Sequence, residues 1–342
     1  MGKILITDTS LRDGSHSVSH QYTARDVEAV AAALDGAGID IIEVSHGDGI
    51  GGASINYGWS AQNEMELIQA ASATVKKSRI AVLLVPGIGT LHDLKAAKAS
   101  GATIVRVATH VTEADVSEEY IKAAKDMGLT VVGFLMMAHM ADTRMLQDQA
   151  LIMERFGSDV VYVTDSAGAM LPDDVALRVE ALRKVLTVPV GHHAHDNLGC
   201  AIGNSLAAVK AGATWVDGSL GGLGAGAGNS ATELLVAALR KYGSDINADL
   251  FATMDAASNV LVPLINAKGK SFPSHEANSL IMGYAGVYSS FMLHARKAAE
   301  RFDVDVRDVL IELGRRKAIG GQEDWIIQVA FDLAKEKKTA KA

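Results

Sequence analysis

Short runs of β-branched and other apolar residues alternate with amphipathic segments from the start of the chain to about residue 260. The runs are Ile4–Ile6, Ile39–Val44, Ile80–Val85, Ile104–Ala108, Val131–Met137, Val160–Val163, Val188–Gly191 and Trp215–Val216. Each is a few residues long and nearly continuous, the pattern of strands buried on both faces of a parallel sheet. Between them, segments such as Asp26–Gly36, Leu91–Ser100 and Leu146–Phe156 carry helical periodicity. Gly36, Gly38, Gly101, Gly128 and Gly212 stand where such helices should stop. Eight alternating units predict an α/β fold of the (β/α)8 TIM-barrel type. An open doubly wound sheet would place a glycine-rich phosphate loop after its first strand. Here that strand leads into Asp8-Thr9-Ser10-Leu11-Arg12-Asp13-Gly14 instead.

Past residue 262 the pattern changes. Asn278–Arg301, Val306–Gly314 and Glu323–Lys335 read as helices with no strand between them, and Lys335–Ala342 reads as a frayed tail. We therefore expect a catalytic barrel over 1–262 and a C-terminal helical extension over 263–342. The length agrees, since 342 residues exceed the roughly 250 of one barrel by about 90.

Composition narrows the partners. With 32 basic and 40 acidic residues the net charge is −8, which argues against nucleic acid and anionic membranes as partners. The single cysteine, Cys200, excludes an internal disulfide and a zinc site of several thiolates. The longest apolar stretches are broken, as by Pro86-Gly87, and no signal-peptide core precedes Asp8 and Arg12. The expectation is a cytoplasmic protein with no membrane span.

In a barrel, polar residues at strand ends gather at one mouth. Strand 1 offers Asp8, Arg12, Asp13 and His16; strand 2 offers Glu43, Ser45, His46 and Asp48; strands 4 and 5 offer Thr109, His110 and His139. Strand 6 adds Asp165 and Ser166, strand 7 His193, His195 and Asn197, and strand 8 Asp217 and Ser219. His193 and His195, two apart, face the same side. With Asp13 they form a set of two imidazoles and one carboxylate that leaves positions open on a divalent cation. His192 alternates outward, where packing is the simpler reading. Arg12 adds a second positive centre beside such a cation, and His16 is a proton acceptor suited to neutral pH. The glycine-rich loop Gly221–Asn229 either binds phosphate or lets backbone approach a ligand. Tyr284 and Tyr288 are packing residues unless the extension covers the mouth, where one would meet substrate. No lysine stands at the end of strand 6, which disfavours an imine mechanism.

The Thr9–Gly14 segment with His193-Ala194-His195 resembles the metal-dependent lyase and synthase barrels. More narrowly, Leu11–His16, His20-Gln21-Tyr22, Glu43–Gly49, Leu84–Gly89, Val107–His110, Gly133–Met137, Gly283–Phe291 and Gly320–Asp324 resemble the 4-hydroxy-2-oxovalerate aldolase family. The resemblance runs from about residue 3 to 335. It implies retro-aldol cleavage of 4-hydroxy-2-oxoacids to pyruvate and acetaldehyde or a longer aldehyde, in meta-cleavage catabolism of aromatic compounds or sterols. It also implies Mn2+ as the preferred metal, with Co2+ or Mg2+ as substitutes, held by Asp13, His193 and His195. His16 would be the catalytic base, and Arg12 would stabilise the enolate. Tyr284 would help set C4 stereochemistry, Ser166 would stand near the pyruvate carboxylate, and His193 would also touch substrate. The implied partner is an acylating acetaldehyde dehydrogenase, two of each chain, docked through the extension and receiving the aldehyde by channelling. Two alternatives are an acyl-CoA synthase or lyase of the same superfamily and a non-catalytic assembly subunit of the dehydrogenase. The lyases keep a cysteine in the loop after strand 8, and Gly221–Asn229 has none.

Overall fold

The apolar runs close on one another as eight parallel strands in sequence order, β8 pairing back onto β1. They are β1 Leu5–Leu11, β2 Ile41–Val44, β3 Arg79–Leu84, β4 Ile104–His110, β5 Thr130–Met136, β6 Val160–Asp165, β7 Val190–Ala194 and β8 Trp215–Gly218. The outer helices are α1 Ala24–Gly36, α2 Glu64–Thr74, α3 Leu91–Ala99, α4 Glu118–Asp126, α5 Thr143–Phe156, α6 Pro172–Val185, α7 Ala201–Lys210 and α8 Thr232–Tyr242. Local chemistry sets their ends. Thr23 with Asp26 and Thr90 with Asp93 form reciprocal capping boxes at α1 and α3. Gly38, Gly101, Gly128 and Gly212 take the left-handed conformation expected past a helix, whereas Gly36 lies in the last turn of α1. This computed structural model describes residues 2–288 and 291–339.

Side chains fill the barrel in layers drawn from alternate strands, as closure of eight strands requires. Ile41, Ile104, Val160 and Trp215, all from even strands, belong to one apolar cluster with Leu83, Val132 and Phe134. Two residues further along the same four strands stand Glu43, Arg106, Tyr162 and Asp217, also buried. The barrel core is thus apolar below and polar directly beneath its mouth.

A continuous helical run follows α8: α9 Leu250–Asp255, a π turn Ala256–Leu261 and α10 Val262–Ala267. It has 18 residues with mean hydropathy 1.3, enough by length and composition to cross a bilayer, and 28% of it is buried. Ala256, Ala257, Leu261 and Ile265 nevertheless seat it in the barrel's main apolar cluster.

The extension holds α11 Ala277–Ala285, α12 Phe291–Phe302, α13 Val306–Arg315 and α14 Asp324–Thr339. Its apolar cluster is its own, built on Met282, Val287, Phe291, Leu310, Leu313, Ile326 and Val329. Two expectations are corrected here. The single helix expected over Asn278–Arg301 is broken, because Gly286 ends α11 in the left-handed conformation at φ 67°. The tail expected from Lys335 continues α14 to Thr339; residues 340–342 lie outside the described residues.

Candidate active site

The end of β1 carries an irregularity that aims the site. Thr7 and Asp8 pair with Ile41 and Ile42, but Leu11 pairs with Val44, so β1 holds one extra residue. Such bulges redirect side chains next to functional sites. Beyond it the chain enters a 3-10 turn, Asp13–Val18, which carries Asp13 and His16. Arg12 and Asp13 are buried at the mouth. Asp13 Oδ2 lies 3.3 Å from His193 Nε2 and 3.5 Å from His195 Nε2. The three donors lie within 4.8 Å of one another.

The same carboxylate oxygen is 3.1 Å from Arg12 Nη1. Arg12 Nε donates to Glu43 Oε2 at 2.8 Å. Arg12 Nη2 and Asp13 Oδ2 are both buried and left without a hydrogen bond of proper geometry among the described residues. A buried donor with no partner, beside a carboxylate oxygen held only by contacts to Arg12, His193 and His195, is costly unless a ligand completes the site. A divalent cation fits the acceptor side. Two imidazoles and a carboxylate are hard-to-borderline donors that suit Mn, Fe, Co or Zn.

The charges are arranged accordingly. Burial alone would raise Asp13, but Arg12 and the two histidines hold it well below the usual carboxylate range. Burial pushes His195 down to about 4, keeping it neutral and able to ligate. Burial also opposes the charge on His193, where the carboxylates of Asp13 and Asp217 outweigh it and raise its pKa.

Beneath the mouth lies a network that joins the expected Glu43 and Asp217 to Arg106 and Tyr162, which sequence alone does not single out. Arg106 Nη1 donates to Glu43 Oε2 at 3.1 Å, and its Nη2 pairs with Asp217 Oδ2. Asp217 also accepts from His193 Nδ1 at 2.8 Å and from the Tyr162 hydroxyl at 3.0 Å. A carboxylate behind a candidate ligand fixes the tautomer that leaves Nε2 free.

His16 stands beside this centre. Its ring lies against Gly47, where a Cβ would be 2.5 Å from Nε2. It lines a cavity of about 400 Å³ with Ser17, Ala225, Met282 and Arg296, between the glycine-rich loop and the extension. A second group, His16, His20 and Asp48, also brings its donor atoms within 4.8 Å. There His20 Nδ1 is taken by Ser15 Oγ at 3.0 Å, and its ring stacks on His46 at 3.7 Å.

Not every strand-end residue reaches the mouth. Asp8 faces α8, accepting from Thr232 Oγ1 at 2.6 Å. Asp165 accepts backbone N–H groups of Ala169 and Met170 and so shapes the loop after β6. Both point outward because their neighbours on the strand point in. His192 is buried with Nδ1 2.9 Å from the Val163 carbonyl, a packing residue as expected. Ser166 Oγ accepts the Met137 N–H at 3.0 Å, across the β5 and β6 ends. The glycine-rich loop brings backbone close, with the Ala225 N–H 3.4 Å from Asp13 Oδ1. Tyr284 is 75% exposed. It lines a separate cavity of about 490 Å³ with His139, Leu198, Gly286 and Lys317.

Comparison with known proteins gives the family. Residues 3–260 match the HMGL-like family, and residues 273–335 match the DmpG-like communication domain. A 4-hydroxy-2-oxovalerate aldolase of Carboxydothermus hydrogenoformans is 56% identical over 336 residues, covering 98% of this chain and 99% of that protein. One from Thermomicrobium roseum is 54% identical over 335 residues, covering 98% and 93%. Among solved structures, the N-terminal domain of a putative aldolase from Bacteroides vulgatus superposes with TM-score 0.71 at 24% identity, covering 84% of this chain and 94% of that one. The carboxyl transferase domain of Rhizobium etli pyruvate carboxylase, solved with pyruvate and biocytin, superposes with TM-score 0.80 at 16% identity, over 98% of this chain and 61% of that one. At those identities the structural likeness speaks for the fold alone.

Proposed function

The chain belongs to the HMGL-like family and, within it, to the 4-hydroxy-2-oxovalerate aldolases, and from that premise we propose how its own residues perform the cleavage. It is an aldehyde-lyase that splits the C3–C4 bond of 4-hydroxy-2-oxovalerate into pyruvate and acetaldehyde. Longer 4-hydroxy-2-oxoacids, and a place in meta-cleavage catabolism of aromatic compounds or sterols, extend the same reading. The observation that carries the assignment of roles is the meeting of Asp13, His193 and His195 beside the unpaired Nη2 of Arg12.

Asp13, His193 and His195 would hold a divalent cation, with Mn2+ as the natural occupant and Co2+ or Mg2+ as substitutes. Bound there, the cation supplies Lewis acidity toward the 2-oxo group. Arg12, clamped by Glu43, aims Nη2 at the C2 oxygen, where negative charge grows as the bond breaks. One such preorganised donor is worth about 3 kcal/mol, roughly a hundredfold in rate. His16 accepts the C4 hydroxyl proton, a contribution of about 10²–10⁴-fold for a positioned base. The substrate carboxylate lies toward Ser166 and His193. Tyr284 takes the family's role at C4; what supports it is its position in the Gly283–Phe291 motif.

The barrel over 1–262 then does the chemistry, and the extension over 263–342 docks a partner. The match to a communication domain supports an acylating acetaldehyde dehydrogenase as that partner; two copies of each chain, in the cytoplasm, extend the same reading. Leu280, Leu293, Ile327 and Phe331 of the extension are each at least half exposed, apolar surface for that contact.

The test is direct product analysis. Purified protein with Mn2+ and racemic 4-hydroxy-2-oxovalerate should release pyruvate and acetaldehyde in equal amounts. Unchanged substrate would refute the activity.

A further inference from the structure

A guanidinium on the axis of a barrel is an expensive way to fill space. Burying an ion pair rarely stabilises a fold beyond what apolar side chains of similar volume achieve. This barrel demonstrates the apolar solution one layer below, with Ile41, Ile104, Val160 and Trp215 on the same four strands. Arg106 is nonetheless 1% exposed. The rings of Phe134 and Tyr162 flank it, their centroids 4.4 and 4.7 Å from its Cζ.

What sets Arg106 apart is the atoms it shares. Glu43 Oε2, which takes its Nη1 at 3.1 Å, is the same oxygen that takes Arg12 Nε at 2.8 Å. Asp217 Oδ2, which takes its Nη2, is the same oxygen that takes His193 Nδ1 at 2.8 Å. The two terminal nitrogens of one planar group therefore pin the two carboxylates that orient Arg12 and His193. A lysine, with one point charge, lacks that fixed fork.

We propose that Arg106 is a positioning residue that joins the Glu43–Arg12 arm to the Asp217–His193 arm. It holds the enolate-stabilising guanidinium and the metal-ligating imidazole in one register. The proposal rests on the reading of Asp13, His193 and His195 as metal ligands and of Arg12 as the donor to C2. It adds Arg106 and Asp217 to that machinery.

Three variants separate bridge from filler. Each is first shown folded by circular dichroism. Mn2+ affinity is then measured on stripped protein from the spectral signal of free Mn2+, and kcat and KM are measured at saturating metal. Asp217→Asn, which keeps shape and removes charge, should weaken Mn2+ binding about 10- to 100-fold. Glu43→Gln should leave Mn2+ affinity within threefold and lower kcat about 10- to 100-fold through a misaimed Arg12. Arg106→Lys should do both at once, with KM changed little. Folded Arg106→Lys with wild-type Mn2+ affinity, or with wild-type kcat, would overturn the bridge. If Arg106→Lys fails to fold, the two single-arm variants decide: the proposal falls if Asp217→Asn binds Mn2+ as wild type does. Asp13→Ala runs in parallel. If it too keeps full Mn2+ affinity, the metal reading has failed rather than the bridge.

Discussion

His193 donates Nδ1–H to Asp217 at 2.8 Å, which turns its Nε2 toward Asp13 at 3.3 Å. That pairing decides which nitrogen is free to ligate, and it ties the mouth of the barrel to the polar layer below.

Arg12 touches Glu43, Asp13 and the open mouth. Arg12→Lys keeps the charge but loses the fork that spans Glu43 and the C2 oxygen. Its kcat should fall about a hundredfold or more. Exchange of the pyruvate methyl protons with deuterated solvent, followed by NMR, should fall in parallel, because that exchange also passes through the enolate.

His16 acts on the other half of the reaction. His16→Ala should slow cleavage by about 10²–10⁴-fold while leaving pyruvate methyl exchange within a few-fold of wild type. Equal losses in both reactions would show that the two roles are not divided between Arg12 and His16.

Asp8 makes a stability prediction with a definite sign. Burial raises its pKa to about 6, even though Ser10 and Thr232 hydrogen-bond to it. Between the unfolded value of 3.8 and about 6 the folded state holds more protons. This group therefore destabilises the fold progressively as pH rises through that window. Relative to wild type, Asp8→Asn should gain up to about 3 kcal/mol between pH 4 and 7. Urea unfolding of both proteins at several pH values measures this, and a pH-independent difference would contradict it.

Much of this architecture is legible in the chain, and the reasons are physical. Strands buried on both faces must be continuous apolar runs, and runs such as Ile80–Val85 announce themselves. His193 and His195 share a face by strand periodicity alone. Arg106 left a weaker mark: a charge inside Ile104-Val105-Arg106-Val107-Ala108, at an inward position, matching Glu43 and Asp217 inside their own apolar runs. Its partners lie 63 and 111 residues away, and local pattern cannot pair residues so distant. Asp8 alternates outward on β1, and because the extra residue follows it, between Asp8 and Leu11, simple counting wrongly puts Asp8 on the same face as Arg12. The break is legible as Gly286, which ends α11 in the left-handed conformation; the contact of His139 Nε2 with its carbonyl at 3.2 Å joins residues 147 apart and leaves no local mark.

The extension carries the partner prediction. Co-expression with an acylating acetaldehyde dehydrogenase should give one peak on size-exclusion chromatography, containing two copies of each chain. An added competing dehydrogenase should capture only a minor share of the acetaldehyde formed. Separate elution at micromolar concentration would rule out a stable complex, and complete capture would rule out channelling.

The most direct measurement is pyruvate formation from 4-hydroxy-2-oxovalerate by chelator-stripped protein titrated with Mn2+. The account predicts no more than residual activity when stripped and a rise that saturates at one Mn2+ per chain. The same titration of Asp13→Ala should restore nothing. Full activity in the stripped wild type would contradict metal-dependent cleavage at Asp13, His193 and His195.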